Sequence, residues 1–492
     1  MIKKTPILLL TLLCGIFLSD ITYGQPRNLN RRSENTRQAG QQKPARRFQV
    51  AREPVTLNES EITLAIGETI GSIKPLLGVN AGPVPSGEPN NADVTAAYRN
   101  CGVTLVRTHD FYGPLDLSVS YPDINADPAN PASYDFSAGD KVFAAIINAG
   151  FEPYIRLGDS YNNARIPANG QQRKNLEQAG CEFIRHYRSG ANNGFTSNFR
   201  YVEIWNEPDN KQFWPGNYKD FFPYFAQTFA ALKQQFPDLK VGGPGFVVAS
   251  YKIPQARENV RTFLAYLKER NLKPDFISFH IYSNDPGEYY DEVLFYRREA
   301  QNAGFADCEL HMTEWNTEER RNTNSFRTGD KAAAHLTASW IAMQEAAIDA
   351  AFFYRGTDTN INQPQFYGMF YADGREKPAA KAFKLWGEFS ACSRKRAVKT
   401  GIRLLDDAPQ IDGELKPLWI LAGEESPKKL FLLLSNIGSK EIHYTLQLPG
   451  PSRSIWVTEI GPPNDTKTSY TADTPTLLIK SLAIQLVKIE LE

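Results

Sequence analysis

Residues 201–236 contain one complete strand–helix unit, YVEIWNEPDNKQFWPGNYKDFFPYFAQTFAALKQQF. The apolar run 201–206 has the length of a buried strand, and Asn217 is a capping residue for a helix that follows it. Phenylalanine and leucine then recur at spacings of four and three, the period of an amphipathic helix. The residues that carry this period are Phe221, Phe225, Phe229, Leu232 and Phe236.

The same unit recurs along the middle of the chain. Alternating strands and helices imply a parallel sheet with right-handed crossovers. Eight units within about 300 residues favour a (β/α)₈ TIM barrel of the α/β class over an open sheet, and no GxGxxG follows any strand, which argues against a dinucleotide fold. The strand-like runs are 73–80, 103–108, 151–157, 201–206, 240–243, 276–282, 309–315 and 350–355, and further helical patterns cover 141–149, 174–188, 260–270, 291–303 and 331–346.

Composition excludes several function classes. The chain has 492 residues, of which 41% are hydrophobic and 22% charged, which is ordinary globular usage for two or three domains. Lys and Arg together number 55, as do Asp and Glu, so net charge points neither to nucleic acid nor to a membrane surface. The six histidines are scattered, and neither HExxH nor a paired CxxC occurs, so we expect no metal and no cofactor.

The alternation of strand-like and helical patterns ends near residue 390. Short strand-like runs at 430–434, 442–448, 455–460, 477–479 and 484–491 are separated by Gly, Pro, Asn and Asp, which predicts a small β-sandwich over 391–492. The strand-like segment 54–72 could not bury a face alone, so we expect it to pack on that sandwich. The barrel then occupies 73–390.

The N-terminus has the pattern of a secretory signal peptide. Lys3 and Lys4 precede an apolar run over 7–18, and Gly24 ends a small-residue site, so we expect cleavage after it and a secreted or periplasmic, cell-envelope location. The run is too short to span ~30 Å of hydrocarbon, so an integral membrane protein is not expected, although a lipid-modified Cys14 is an alternative. Residues 25–53 are rich in Arg, Gln, Asn and Pro and predict a flexible basic tether.

Four cysteines follow the predicted leader at wide spacing. An exported chain permits disulfides, and four cysteines allow three complete pairings. Buried unpaired thiols are the other possibility. The residues are Cys101, Cys181, Cys308 and Cys392.

Two glutamates end strands in a similar setting. Glu207 lies in the run 201–208 and Glu314 in the run 310–316, each close to a Trp and an Asn. In a barrel of this kind, chemistry belongs at the carboxyl ends of the strands. Two carboxyl groups facing each other there fit glycosidic cleavage, which needs one protonated and one ionised. A catalytically silent sugar-binding barrel is the alternative from another class.

The sequence resembles a known enzyme group. WNEP at 205–208 is similar to the acid/base motif of the clan A glycoside hydrolases, which are retaining (β/α)₈ enzymes. Thr313-Glu314-Trp315 resembles the nucleophile strand of glycoside hydrolase family 39, which includes β-xylosidases and α-L-iduronidases. Further similar phrases are FWPG at 213–216, VGGP at 241–244, FHIY at 279–282 and GREKPAA at 374–380, and the C-terminal β-sandwich also matches.

The resemblance assigns roles position by position. It implies that Glu207 is the general acid/base and Glu314 the nucleophile of a double displacement. Asn206 would hydrogen-bond the sugar 2-hydroxyl. His280 and Tyr282 match the pair that orients the two carboxylates, with the tyrosine hydroxyl keeping Glu314 ionised. The expected partner is therefore a glycoside or oligosaccharide, and another clan A retaining enzyme that cuts within chains is an alternative.

Other candidates surround these residues. The resemblance implies that Arg107 favours the ionised nucleophile, with an interior salt bridge as the other possibility, and that His109 contacts sugar, with a capping or core role as its alternative. The eighth strand departs from the clan pattern, because Tyr354 or Phe352 stands in place of the Trp that floors the first subsite. The sequence of residues 110–113 also departs from the one common in the xylosidases of this family.

Three tryptophans lie near the carboxylates along the chain. Trp214 and Trp315 are candidate sugar-stacking platforms, and for Trp205 core packing is equally compatible with the pattern. Trp340 and Trp386 lie on helical patterns and are predicted to be core residues.

Overall fold

The computed structural model describes residues 52–58, 61–84, 91–109, 113–160, 164–247, 251–318, 324–358, 367–471 and 476–492. The predicted signal peptide, Cys14 and nearly all of the predicted tether lie outside these ranges. Arg52, at the end of the predicted tether, donates a hydrogen bond from Nε to Asp285 Oδ2 at 2.6 Å. Within the described residues, no helix is both long and apolar enough to cross a bilayer.

A closed barrel of eight parallel strands forms the centre of the fold, as the sequence predicts. A first strand, β1 (Glu61–Ser72), precedes it. The predicted first barrel run is shorter than expected, because Pro75 has no backbone N–H to donate to a ladder. The barrel strands are β2 (Gly78–Asn80), β3 (Leu105–Arg107), β4 (Glu152–Leu157), β5 (Tyr201–Ile204), β6 (Lys240–Phe246), β7 (Phe276–Tyr282), β8 (Glu309–Asn316) and β9 (Ala350–Phe353).

Helices connect the strands around the outside of the barrel. Asn217 caps the helix of the opening unit, since its side-chain oxygen accepts from the Lys219 N–H at 3.1 Å. Trp340 and Trp386 are core residues, as predicted, with stacked rings. The helices are α1 (Thr95–Asn100), α2 (Leu117–Ser120), α3 (Ser137–Asn148), α4 (Gly170–Ser189), α5 (Tyr218–Gln235), α6 (Pro254–Glu269), α7 (Pro286–Ala303), α8 (Asn324–Arg327), α9 (Lys331–Glu345), α10 (Pro378–Phe389) and α11 (Arg403–Asp406), with 3₁₀ turns at Pro131–Ser133 and Ala191–Asn193.

The C-terminal β-region contains one continuous sheet of nine strands. Its order is β17-β16-β19-β14-β13-β10-β1-β15-β18, so β1 lies inside the sheet, antiparallel to β10 and parallel to β15. The strands that follow the barrel are β10 (Arg394–Lys399), β11 (Gln410–Ile411), β12 (Glu414–Leu415), β13 (Leu418–Ser426), β14 (Lys429–Asn436), β15 (Ile442–Gln447), β16 (Ser452–Ile460), β17 (Thr466–Thr471), β18 (Leu477–Ile479) and β19 (Ile484–Leu491), of which β11 and β12 form a separate pair.

This sheet curls over on itself, as a sandwich does. Strands β15 and β19 are separated by four others, yet the Tyr444 hydroxyl on β15 donates to Gln485 Oε1 on β19 at 2.7 Å. Strand β14 is covered on both faces, because Leu432 belongs to the core of the sheet and Leu433 to the core that includes the barrel helices. That double burial explains the continuous apolar run in β14.

The four cysteines after the predicted leader are buried, unpaired thiols. Burial raises the pKa of each thiol far above neutral, so none carries thiolate character near pH 7.

Candidate active site

Two buried glutamates meet at the carboxyl end of the barrel. Glu207 follows β5, and Glu314 lies within β8. One oxygen of each carboxylate lies within 4.8 Å of one oxygen of the other. Nδ1 of His280 lies between them, 2.8 Å from Glu207 Oε1 and 3.7 Å from Glu314 Oε2. Each of the three side chains offers one atom that could bind a cation, and these atoms lie within 4.8 Å of one another. Nδ1 of His280, however, is already paired with Glu207 Oε1.

The backbone after β5 explains how two consecutive side chains face the site. In a regular strand, Asn206 and Glu207 would point to opposite faces. Here Trp205 and Glu207 have left-handed φ values of 76° and 45°, which breaks the alternation. The Glu207 N–H donates to the carbonyl of Gly245 at 2.9 Å. Gly245 has a φ of 65°, and a Cβ there would lie 3.1 Å from His280 Nε2, so this position favours glycine.

A one-residue bulge in β8 aims Glu314. Phe279 of β7 is in register with Met312, whereas the next residue, His280, is in register with Glu314, so β8 carries one extra residue. Thr313 and Glu314 consequently both reach the barrel interior. The Thr313 hydroxyl donates to Glu203 Oε1 at 2.8 Å, and Glu314 contacts the residues described next.

Hydrogen-bond donors surround Glu314. The Tyr282 hydroxyl donates to Oε2 at 2.7 Å, and Arg107 donates from Nη1 to Oε1 at 3.0 Å. Nε2 of His109 lies 3.4 Å from Oε1. Glu314 therefore accepts two hydrogen bonds and has a ring nitrogen of His109 close to one of its oxygens.

Glu207 has a different environment. Burial raises the pKa of Glu207 to about 7, against the lowering effects of a hydrogen bond from Asn210 and the charge of Arg107. The Asn210 amide donates to Oε2 at 2.8 Å. Burial also lowers the pKa of His280 to about 4, so its imidazole is neutral near pH 7 and contributes no positive charge beside Glu207. A substantial fraction of Glu207 therefore carries a proton near pH 7.

Arg107 is the hub beneath both carboxylates. Its fully buried guanidinium donates to Glu203 at 2.7 Å, to Asn80 at 2.9 Å and to Asn206 Oδ1 at 2.7 Å, in addition to Glu314. Burial acts to lower the pKa of Arg107, but Glu203 and Glu314 raise it above its usual value. The Asn206 amide Nδ2 is buried and has no hydrogen-bond partner among the described residues, so it is available to a ligand.

Tyr354 is placed beside this cluster. Its ring centroid lies 6.1 Å from that of Tyr282 and 6.5 Å from that of His109. Phe352 lies one layer deeper in the barrel, packed with Tyr154 at 4.5 Å between ring centroids. Tyr354 thus borders the site, as does Tyr367 further along the same loop, whose ring centroid lies 5.4 Å from that of Tyr282.

The prediction that two tryptophans are sugar-stacking platforms is wrong, because both are buried in the core. Trp315 is completely buried against Tyr289 and Phe353, because neighbouring residues of a strand face opposite sides and Glu314 takes the inner one. Trp214 is 1% exposed, and its indole N–H donates to the Asn217 carbonyl at 3.0 Å. Both belong to the core between barrel and helices, as does Trp205.

Several residues that lie below or beside the two glutamates support the site but were not predicted from the sequence. Glu203 was the easiest of these to predict from the sequence, because period-two alternation along β5 places it inside the barrel, two residues before Trp205. Nothing in the sequence marks the bulge that turns Thr313 inward. The full set is Asn80, Glu203, Asn210 and Thr313.

An eight-stranded barrel with paired glutamates at its carboxyl end is an arrangement that glycosidic cleavage can use. The sequence profile of glycosyl hydrolases family 39 matches residues 67–356, and the chain belongs to this family.

Individual relatives agree with this assignment. A β-xylosidase from Geobacillus stearothermophilus is 31% identical over 258 residues, which are 44% of this chain and 47% of that protein. The chain spans about half the length of the curated relatives it matches. A glucosidase from Croceicoccus marinus has a TM-score of 0.71 at 24% identity, covering 88% of this chain and 99% of that one. A monomeric β-xylosidase from Caulobacter crescentus has a TM-score of 0.65 at 16% identity, covering 88% and 100%. The two structures share the fold.

Proposed function

We propose that this chain is a retaining glycoside hydrolase of β-xylosidase-like specificity that acts through a covalent glycosyl-enzyme. The observation that carries the proposal is the separation of the two carboxylates, whose nearest oxygens lie within 4.8 Å. Retaining enzymes hold these groups about 5–5.5 Å apart, whereas inverting enzymes leave about 6.5–9.5 Å for a water molecule.

Glu207 is the general acid of the first step. With its pKa raised to about 7, it retains a proton near neutral pH and donates it to the leaving oxygen. A carboxylate oxygen of Glu314 attacks the anomeric carbon as the bond from that carbon to the leaving oxygen breaks. The products are an alcohol and a glycosyl ester on Glu314.

Glu207 becomes the base of the second step. Its carboxylate takes a proton from water, the water oxygen attacks the anomeric carbon, and the ester bond breaks to release ionised Glu314. Two inversions give net retention. Arg107 and Tyr282 stabilise the departing carboxylate through the hydrogen bonds they already donate to it.

Asn206 binds the glycone beside the reacting carbon. Arg107 fixes its side-chain oxygen at 2.7 Å, which leaves Nδ2 as a buried donor without a partner among the described residues. A sugar 2-hydroxyl fits this donor. The β-xylosidase description of the relative from Geobacillus stearothermophilus supports xylose as the first sugar to test.

Trapping the intermediate tests the proposal. A panel of chromogenic β-glycosides, with the β-xyloside first, identifies a substrate, and proton NMR of the first product reads its anomeric configuration. The matching 2-deoxy-2-fluoro glycoside with an activated leaving group should add one glycosyl mass to Glu314, and Glu314→Gln should remain unlabelled. An inverted product, or a label on another residue, contradicts the mechanism. A panel left wholly uncut, with sugar still bound, would instead indicate a binding protein.

We also propose that the protein is exported. The support is the pattern of residues 1–24, which lie outside the described residues. Mass spectrometry of the protein expressed in its full length should find a mature N-terminus at Gln25 outside the cytoplasm. An intact Met1 on cytoplasmic protein contradicts export.

A further inference from the structure

Arg156 is a buried arginine that faces the barrel interior at the level of the active site. It is in register with Glu203 on β5, and Tyr154, two residues earlier on β4, belongs to the deeper interior layer. Its neighbour Leu157 packs outward, 3.1 Å from where a Cβ on Gly180 of α4 would stand. The alternation of β4 therefore directs the Arg156 side chain into the lumen.

Asp116 engages only one end of this guanidinium. Nη2 of Arg156 donates to Asp116 Oδ1. Asp116 Oδ2 accepts from the Ser160 N–H at 2.9 Å and from the Ser160 hydroxyl at 2.5 Å, so the carboxylate that orients Arg156 is itself fixed.

The other guanidinium donors are unused. Nε and Nη1 of Arg156 are buried and have no hydrogen-bond partner among the described residues. The residue as a whole is 1% exposed, so bulk solvent does not satisfy these donors. Leaving buried charged donors unsatisfied costs stability, and such groups are rare unless a water, an ion or a ligand completes them.

His109 supplies an unused acceptor on the neighbouring strand end. Burial, with the charges of Arg107 and Arg156, holds the pKa of His109 well below its usual value, so the imidazole is neutral. Its Nε2 lies 3.4 Å from Glu314 Oε1, which places the ring proton on Nε2 and leaves Nδ1 as the acceptor. Nδ1 is also buried without a partner among the residues that the structure describes.

A hydrogen bond ties the backbone of Arg156 to the residue that precedes His109. The backbone N–H of Arg156 donates to Oγ1 of Thr108 at 3.0 Å, and Thr108 immediately precedes His109 in the chain. The charge of Arg156 contributes to the pKa of His109, as expected for close neighbours. Together they present donors from Arg156 and one acceptor from His109, and His109 borders the nucleophile Glu314.

We propose that Arg156, together with His109, whose sugar contact the family resemblance already implies, binds one hydroxyl of the glycone, and that Arg156 is a specificity-determining residue of this enzyme. A hydroxyl accepts one hydrogen bond and donates another, which completes both side chains at once. A carboxylate would satisfy Arg156 but would bring lone pairs against Nδ1 of neutral His109. His109 lies two residues after β3 and Arg156 one residue before the end of β4, whereas Asn206 follows β5. Because the two positions lie on different strands from Asn206, the hydroxyl is a different one from the 2-hydroxyl. This inference rests on the proposed function.

Deoxy substrates test it directly. The parent substrate is the aryl glycoside that the wild-type enzyme cleaves best, and its 3-deoxy and 4-deoxy analogues each lack one candidate hydroxyl. Arg156→Lys keeps a positive charge that pairs with Asp116 but removes the Nε and Nη1 donors. We expect it to lower kcat/KM on the parent by roughly 10- to 100-fold, the value of a hydrogen bond to a charged group. On the analogue that lacks the bound hydroxyl, the loss should be at most about threefold.

Arg165→Lys is the matched control. Arg165 follows the same strand and pairs with Asp159 at 3.3 Å, but it is partly exposed. Its replacement should change kcat/KM by the same factor on all three substrates. If Arg156→Lys also lowers all three equally, Arg156 has only a structural role or holds a water molecule, and the inference is overturned.

Calorimetry separates this result from a failure of the proposed function. Binding of the free sugar and its deoxy forms is measured on wild type and on Arg156→Lys. If wild type cleaves nothing yet loses affinity for one deoxy sugar, and Arg156→Lys removes that difference, the proposed function fails and the hydroxyl site stands. If wild type prefers none of these sugars over its deoxy forms, the hydroxyl site fails even where cleavage is observed.

Discussion

The barrel interior has two layers that differ in chemistry although both are buried. The deeper layer contains Tyr154, Tyr201, Phe276 and Phe352, whose rings pack together. The rim layer contains the ionisable and amide side chains around the two glutamates. Burial alone therefore does not distinguish a structural layer from a reactive one.

Histidines in the two layers differ in whether their ring nitrogens have hydrogen-bond partners. His311, in the deeper layer, has Nδ1 3.0 Å from the Tyr154 hydroxyl and Nε2 3.1 Å from Glu309. At the rim, Nδ1 of His109 and Nε2 of His280 are buried without partners among the described residues. Both ring nitrogens of the deeper histidine therefore have partners, whereas each of the two rim histidines keeps one buried nitrogen that a substrate could contact.

The largest expected effect is the loss of the nucleophile at the rim. Glu314→Gln keeps the size of the side chain but removes the attacking charge, so kcat should fall by roughly 10⁴- to 10⁶-fold while the melting temperature stays close to that of wild type. Glu309→Gln, at the other end of the same strand, is the control and should retain nearly full activity. Retention of more than about 1% of kcat by Glu314→Gln would remove Glu314 from this role.

The deeper layer should respond in stability instead. Phe352→Ala removes a fully buried ring that packs on Tyr154, so it should lower the free energy of unfolding by about 3–5 kcal/mol, measured by urea denaturation. Ile70→Ala, at a position 56% exposed, should change it by less than about 1 kcal/mol. A loss below about 1 kcal/mol for Phe352→Ala would show that the aromatic layer contributes little.

A smaller effect is expected from the hydroxyl that supports Glu314. Tyr282→Phe removes the 2.7 Å donor, and kcat/KM should fall roughly 10- to 100-fold because a hydrogen bond to a charged group is lost. The control is Tyr289→Phe, whose hydroxyl donates to the backbone carbonyl of Asn316 at 2.7 Å and should affect stability rather than rate. Equal rate losses in the two variants would contradict a specific role for Tyr282.

The pH profile should show the smallest change. Since Glu207 must be protonated and its pKa is raised to about 7, kcat/KM should fall above pH 7, approaching tenfold per pH unit. The hydrogen bond from Asn210 stabilises the ionised form and lowers the pKa, so Asn210→Ala should move this alkaline limb to higher pH by less than about one unit. A limb that stays in place, or moves to lower pH, would show that Glu207 does not set it.

Much of the fold follows from pattern. Each of the eight predicted barrel runs overlaps a barrel strand, because a parallel barrel strand is buried on both faces and leaves a short apolar run. Ile442, Tyr444 and Leu446 on β15 are buried and alternate with less buried residues, as their spacing predicts.

The site was less predictable, since its partners come from distant strands. Arg107 and Glu203 are 96 residues apart in sequence, and only the closed barrel brings them to 2.7 Å. Trp315 was misassigned because closeness in sequence was taken for closeness in space. On a strand, the neighbour of an inward residue points outward.

The sequence by itself determined the barrel, its C-terminal β-region and the strand ends at which Glu207 and Glu314 lie. Local periodicity and short motifs carry that information, because they depend on neighbouring residues alone. Tertiary structure decided which side chains face the lumen at the bulge in β8, how each glutamate is solvated, and which donors of Arg156 and Asn206 remain unused. These properties depend on register and burial, which exist only after strands far apart in the chain have paired.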